Sequence, residues 1–243
     1  MIEVRDLTKR FGDVVAVDGL SFRASNGSVT ALLGPNGAGK TTTLRAICGL
    51  IRPDRGQVLV DGIDVATRPL EAQARLGVLP ESRGLYTRLT ARDDIRYFAG
   101  LRGLRGADAD SRCSALIELL DMGEIAGRRA EGFSHGERTK VALSSSLVHG
   151  PSNVILDEPT NGLDVMSTRT IRRFIRQLRG EGKCVLFSSH VMQEVAAVCD
   201  SIVIVASGRL VAHGTPEALL DDTGQDSLED AFVRLTERVG RSA

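Results

Sequence analysis

VTALLGPNGAGKT, residues 29 to 41, begins as a short apolar run and then turns abruptly to glycine. The run 29–33 suits a buried parallel strand. GPNGAGKT (34–41) matches the spacing G-x-x-x-x-G-K-[ST], and TLRAICGL after it has helical character. Strand, glycine loop and helix thus follow in the order that this motif requires. Glycines at 34, 37 and 39 let the backbone fold around an anion with its N–H groups turned inward. The helix N-terminus beyond adds the positive end of its dipole. Lys40 is placed to reach β and γ phosphates, and the Thr41 hydroxyl to bind Mg²⁺.

A second apolar strand ends in acid. VILDEPTNGLD, 154 to 164, runs Val154, Ile155 and Leu156 straight into Asp157 and Glu158. An ionised carboxylate leaves water at high cost unless a cation or hydrogen-bond donors meet it. Ligands of open α/β sheets bind at the carboxyl ends of strands. The 29–33 and 153–156 strands are therefore expected to end at one edge, with Asp157 beside phosphate-bound Mg²⁺. A divalent cation supplies the missing compensation. Glu158, one residue on, is placed to accept a proton from an attacking water.

The rest of the chain fits a frame around that edge. The 243 residues, 42% hydrophobic and 26% charged, allow one large domain or two lobes on one core. Lys plus Arg and Asp plus Glu both total 31, which gives no basic surface for nucleic acid. Cys48, Cys113, Cys184 and Cys199 lack metal-ligand spacing and read as reduced thiols. The charged, alternating start of the chain predicts no signal peptide, and no uncharged apolar run approaches the ~20 residues of a membrane helix.

IEVRDL, VVAVDGLSFRA and QVLVDGIDV alternate apolar and polar positions, with an Asp61-Gly62 turn, and predict an antiparallel sheet layered on the core. Residues 90–130 shift to helical spacing, with Ile95, Phe98 and Leu101 assigned to one face and Leu116, Leu119 and Leu120 to another. From 153 onward strands and helices alternate, which indicates a doubly wound parallel sheet. The tail places Leu228, Phe232, Leu235 and Val239 on one stripe of a small docking helix.

FSHGERTKVALSSSLVHGP, 133 to 151, precedes the acidic strand. Ser134 with Glu137 three residues later is a capping box, and a capped, glycine-containing helix start is also an anion site. This stretch resembles the signature of the ATP-binding cassette (ABC) ATPases, usually written LSGGQ. DEPTNGLD (157–164) and SSH (188–190) resemble their extended Walker B, D-loop and switch histidine. The resemblance runs from about residue 2 to 220, with the motifs in the family's order.

The resemblance implies a P-loop NTPase α/β fold with an N-terminal antiparallel β subdomain and a helical subdomain inserted at about 82–140. A short helical tail, 221–243, follows. It implies ATP held by Gly34, Pro35, Asn36, Gly37, Ala38, Gly39, Lys40, Thr41 and Thr42, with Phe11 stacked on adenine. It implies Mg²⁺ on Thr41, Asp157 and Glu81, catalysis by Glu158 and His190, and coupling through Asp164. Ser134, His135, Gly136 and Glu137 would contact the γ-phosphate bound by a second copy, in a head-to-tail homodimer or paired cassette. His149 and His213 have no such context and read as structural.

Two positions depart from the pattern. Glu81 in LGVLPES stands where glutamine is usual and adds negative charge near the γ-phosphate. His135 replaces a small glycine, so it crowds the second ATP or donates a hydrogen bond to it. The stretch LPESRGLYTRLTARDDIRYFAGLRG resembles an exporter branch that includes sodium-extrusion and antibiotic-resistance ATPases. The implied protein is a cytoplasmic subunit, peripheral on the membrane's inner face, that energises separate permease subunits. Sodium efflux is the first expectation, with drug or lipid export as the alternative. One cassette, neutral charge and no coiled-coil or zinc-bearing insertion argue against the members that act in translation or DNA repair.

Overall fold

The computed structural model describes residues 1–82 and 84–240, with side chains to 237. The chain opens with β1 (Ile2–Phe11) and β2 (Val14–Ala24), followed by β3 (Ser28–Leu33) and α1 (Lys40–Ile47). Next come β4 (Arg55–Val60), β5 (Ile63–Asp64), α2 (Pro69–Ala74) and β6 (Leu76–Leu79). β2, β1, β4 and β5 form an antiparallel sheet in that order. Alternation decides its buried face: Ile2, Val4 and Leu7 pair across to Ala24, Phe22 and Leu20, all buried. Asp61 and Gly62 both have positive φ, which is the two-residue turn that the Asp-Gly pair signals between strands.

A helical block follows: α3 (Ala91–Leu101), α4 (Gly106–Leu119) and α5 (His135–Leu147). The buried face of α3 is Ala91, Ile95 and Ala99, while Leu101 is 64% exposed. The expected 95–98–101 face is therefore not the buried one. At 3.6 residues per turn, position i+6 lies about 240° round the helix from i. α4 buries Ala109, Cys113 and Ile117, and Leu120 is buried just past its end, whereas Leu116 and Leu119 are only partly covered.

The second half alternates as expected: β7 (Asn153–Asp157), α6 (Val165–Gly180), β8 (Cys184–Ser189), α7 (Met192–Val198), β9 (Ser201–Ala206) and β10 (Arg209–Gly214). The large sheet has the order β10-β9-β3-β8-β7-β6, parallel except for β10. Its two faces carry two cores. Val29, Ala31, Leu33, Val154 and Leu156 pack with α6 residues Ile171, Phe174 and Ile175. Leu32, Ile155 and Leu186 face the other way, onto Leu44 and Ile47 of α1 and the antiparallel sheet. Each such side chain contributes about 1.5–3 kcal/mol when fully buried, so the central strands are clamped from both sides.

α8 (Pro216–Thr223) and α9 (Leu228–Gly240) close the chain, with Leu235 and Ala231 buried and Leu228 and Phe232 partly so. The Val239 side chain lies outside the described residues. Cys48, Cys113 and Cys184 are buried free thiols and Cys199 is partly so. Among the described residues no helix is long and apolar enough to cross a membrane.

Candidate active site

The glycine loop is shaped by close approach as much as by dihedral freedom. A Cβ on Gly34 would stand 2.3 Å from the Val205 carbonyl oxygen, and one on Gly39 (φ +99°) would stand 2.4 Å from that of Ala16. No side chain fits either gap. Gly37 (φ +79°) meets nothing and is needed for its left-handed backbone. Lys40 begins α1, and its buried ammonium donates to the carbonyl oxygens of Gly34 (2.6 Å) and Pro35 (3.2 Å), spanning the loop. Pro35, Asn36 and Thr41 are exposed, Thr42 is half-buried and Ala38 is buried. Thr43 turns inward and donates to the Gly39 carbonyl.

β2 borders this loop through Ala16. Phe11 pairs in register with Val14, just upstream of that contact. The Phe11 ring is 52% exposed, and the Lys9 ammonium lies 5.4 Å from its centroid. A half-exposed aromatic at a strand end is available for stacking.

The acidic strand ends on the same edge. β8 lies between β3 and β7, in a register that aligns Leu32, Ser188 and Asp157. Ser188 donates its hydroxyl proton to Asp157 Oδ1 (2.5 Å), and its oxygen accepts from the Glu158 N–H (3.0 Å). One hydroxyl thus fixes both acids. Sequence reasoning gave Ser188 no role, although a serine pair ending the apolar strand CVLFSS signals buried hydroxyls that need partners. Glu158 has φ +47°, which is costly for a residue with a side chain. Its Oε2 accepts from His190 Nδ1–H at 3.0 Å.

Thr41, Arg45, Cys48, Glu81 and Asp157 help line a cavity of 170 Å³ beside the loop. All three oxygen-bearing residues expected around a cation share this space. Burial, and secondarily the Asp157 charge, push the Cys48 thiol up to about 12, so it stays protonated and does not compete as a soft ligand. Among the described residues no three or more His, Cys, Asp or Glu are grouped so as to hold a metal ion by themselves. A cation here would therefore draw most of its shell from phosphate and water oxygens, which suits Mg²⁺.

The segment around Ser134 forms a second cluster. Ser134 caps α5: its hydroxyl oxygen accepts from the Glu137 N–H (3.2 Å), and the Ser134 N–H donates to Glu137 Oε2 (2.7 Å). Burial pushes the Glu137 carboxyl up, but the bonds from Ser134 and the Arg128 guanidinium outweigh it and hold the group below its usual range. His135 Nε2–H donates to the Asn161 carbonyl oxygen at 3.0 Å. A Cβ on Gly136 would stand 2.4 Å from Ser167 Oγ, so glycine alone fits there. Asp164 caps α6, accepting from the Ser167 N–H (2.9 Å) and hydroxyl (2.6 Å), which holds its carboxyl low.

The chain thus assembles the loop 34–42, Glu81, Asp157, Glu158 and His190 at one place. It packs Ser134–Glu137 against the 161–167 turn at another. No contact described above joins 134–137 to 34–42. His149 and His213 hydrogen-bond to the Leu76 carbonyl and Ser201, and burial holds both imidazoles toward the neutral form.

A family model described as "ABC transporter" matches residues 17–161, more than half of the chain. The protein is 41% identical over 238 residues to the ABC transporter ATP-binding protein NatA of Bacillus subtilis (strain 168), covering 96% of this chain and 97% of that one. It is 37% identical over 240 residues to the probable multidrug ABC transporter ATP-binding protein YbhF of Escherichia coli (strain K12); this covers 97% of this chain but 41% of that longer protein. A solved ATP-binding subunit of an ABC transporter superposes with a TM-score of 0.89 at 30% identity, covering 97% of this chain and 99% of that one. Fold, motifs in order and near-full-length relatives agree: this chain belongs to the ABC transporter family, as an ATP-binding subunit with the ABC ATPase fold.

Proposed function

We propose that this protein hydrolyses ATP to energise export through separate membrane permease subunits. The observation that carries the reading is the shared edge: Thr41, Glu81 and Asp157 line one cavity beside the glycine loop, with the Glu158–His190 pair adjoining it.

In this reading the N–H groups of 34–42 and the Lys40 ammonium hold the β and γ phosphates. Lys40 then exchanges its carbonyl partners in the loop for phosphate oxygens. Phe11 stacks on the adenine, a contact worth ~1–3 kcal/mol. Thr41, Asp157 and Glu81 supply hard oxygen donors for Mg²⁺, and Ser188 keeps Asp157 aimed. When bound, the cation neutralises charge on the transferring phosphoryl group. Glu158 takes a proton from the attacking water, and His190 orients that carboxylate and faces the γ-phosphate.

The same chain's Ser134 belongs to a different cluster from its own glycine loop. A second copy, docked head to tail, would bring Ser134, His135, Gly136 and Glu137 to the γ-phosphate. Asp164, at the start of α6, would link the two sites. His135 is held by Asn161, so it braces the 158–164 turn as well as facing the second nucleotide.

Glu81 and the helical block adjoin the surface that would receive permease segments, and residues 2–220 act as the cassette with 221–243 as its tail. NatA and the probable multidrug protein YbhF are the relatives that support export. Sodium efflux is the first cargo to test, on the resemblance of residues 79–103, with drugs or lipids as alternatives. The test reconstitutes the subunit with its co-purifying permease in liposomes. ATP-dependent sodium movement is expected; movement of drugs or lipids instead reassigns the cargo. ATP hydrolysis that tracks ribosomes rather than membranes on fractionation overturns the transport reading.

A further inference from the structure

We infer that Glu194 is a positioning residue for hydrolysis, tying the turn that carries Glu158 to the helix that follows His190. Glu194 sits in the first turns of α7 and is nearly buried. Its Oε2 accepts the hydroxyl proton of buried Thr160, two residues beyond Glu158. Its Oε1 faces Arg172 Nη2 of α6 at 3.9 Å. Arg172 is half-buried, its Nε is enclosed without a hydrogen-bond partner among the described residues, and Glu194 is the carboxylate that faces it.

The contacts close a ring. Asn161 N–H donates to the Glu158 carbonyl (3.3 Å), and Leu163 N–H to the Thr160 carbonyl (3.2 Å), so Thr160 and Glu158 move as one turn. Val191 caps α7, its N–H donating to Ser189 Oγ and its carbonyl accepting from the Glu194 N–H. The His190–Glu158 bond is then one pin between turn and helix, and Thr160–Glu194 is the second. His190 is exposed, so its single hydrogen bond to Glu158 competes with water. The buried pin is what fixes the imidazole opposite the carboxylate. Glu194 touches no phosphate or water in this scheme; it acts through Glu158 and His190.

The inference rests on the proposed hydrolytic roles of those two residues, and the test separates the two. Hydrolysis by the full-length subunit, with ATP titrated for KM, is measured in the parent, Glu158→Gln, Glu194→Ala, Glu194→Gln and Thr160→Val. Each of the last three is then made again in a His190→Ala background. Glu194→Ala is expected to lower kcat about 10- to 100-fold, the size of loss that a misplaced reacting group produces, with KM for ATP within a factor of about two. Thr160→Val should move in the same direction and add little to Glu194→Ala, since both cut one bond. Glu194→Gln, whose amide oxygen still accepts from Thr160, should recover most of the rate. In the His190→Ala background the Glu194 and Thr160 substitutions should cost little more. Parent kcat in Glu194→Ala and Thr160→Val overturns the inference, as does full additivity with His190→Ala or an equal loss of ATP binding. Undiminished hydrolysis in Glu158→Gln removes the catalytic assignment itself, and this inference with it.

Discussion

The two loops that end the central parallel strands solve opposite problems. The loop 34–39 after β3 removes side chains: Gly34 and Gly39 approach neighbouring carbonyls so closely that a methyl group would collide. The turn after β7 keeps its side chains and accepts strain, holding Glu158 at φ +47°. A backbone that must wrap an anion needs N–H groups and room. A turn that must aim a carboxylate needs the side chain whatever the dihedral cost, about 1–3 kcal/mol for such a conformation. The left-handed residue therefore marks chemistry in the second loop, and geometry in the first.

Three substitutions probe that contrast, and the largest effect belongs to the acid. Glu158→Gln should lower the ATP hydrolysis rate about 10²- to 10⁴-fold, the usual contribution of a general base, with ATP affinity retained; the rate is read in a steady-state phosphate-release assay. Lys40→Ala should weaken nucleotide binding about 100-fold by calorimetry, within the range for a lost hydrogen bond to a charged group. Glu158→Gly is the most telling of the small effects. It should be inactive yet raise the melting temperature by about 2–4 °C, through relief of roughly 1 kcal/mol of left-handed strain. A drop in melting temperature would mean that the turn is not strained.

A fourth substitution lies away from both loops and is smaller still. Asp94 of α3 is fully buried, accepting from Ser145 Oγ (2.8 Å), and burial pushes its carboxyl up. An acid bound more tightly to its proton in the fold than in the unfolded chain favours folding at low pH. That advantage is lost as pH rises from the unfolded value, about 3.9, through the raised one. Asp94→Asn should therefore stabilise the protein above that window, by up to about 2 °C in melting temperature. The gain should vanish below it; thermal melts at about pH 3.5 and pH 7 read the difference.

The glycine loop was legible from sequence because its constraints are local: spacing, flanking strand and following helix sit within 22 residues, 29–50. Asp157 and Glu158 were legible for the same reason, as acids ending an apolar run. Ser188, Thr160 and Glu194 were not, because their partners lie 30 to 34 residues away and depend on the register of β7 against β8 and the docking of α7. Leu101 misled because an i, i+3, i+6 series resembles a helical stripe while drifting off it. The close approach of Gly136 to Ser167 was also hidden, since it depends on how α5 meets α6.

On the proposed reading, one sheet edge gathers loop and acids around a metal-bound triphosphate, with a second copy completing the pocket. Structure determination of Glu158→Gln with magnesium and ATP tests it most directly. The expected result places the phosphates against 34–42, Asp157 toward the cation, and the second copy's signature serine on the γ-phosphate. Acids 157 and 158 facing bulk solvent, remote from that loop, would contradict it.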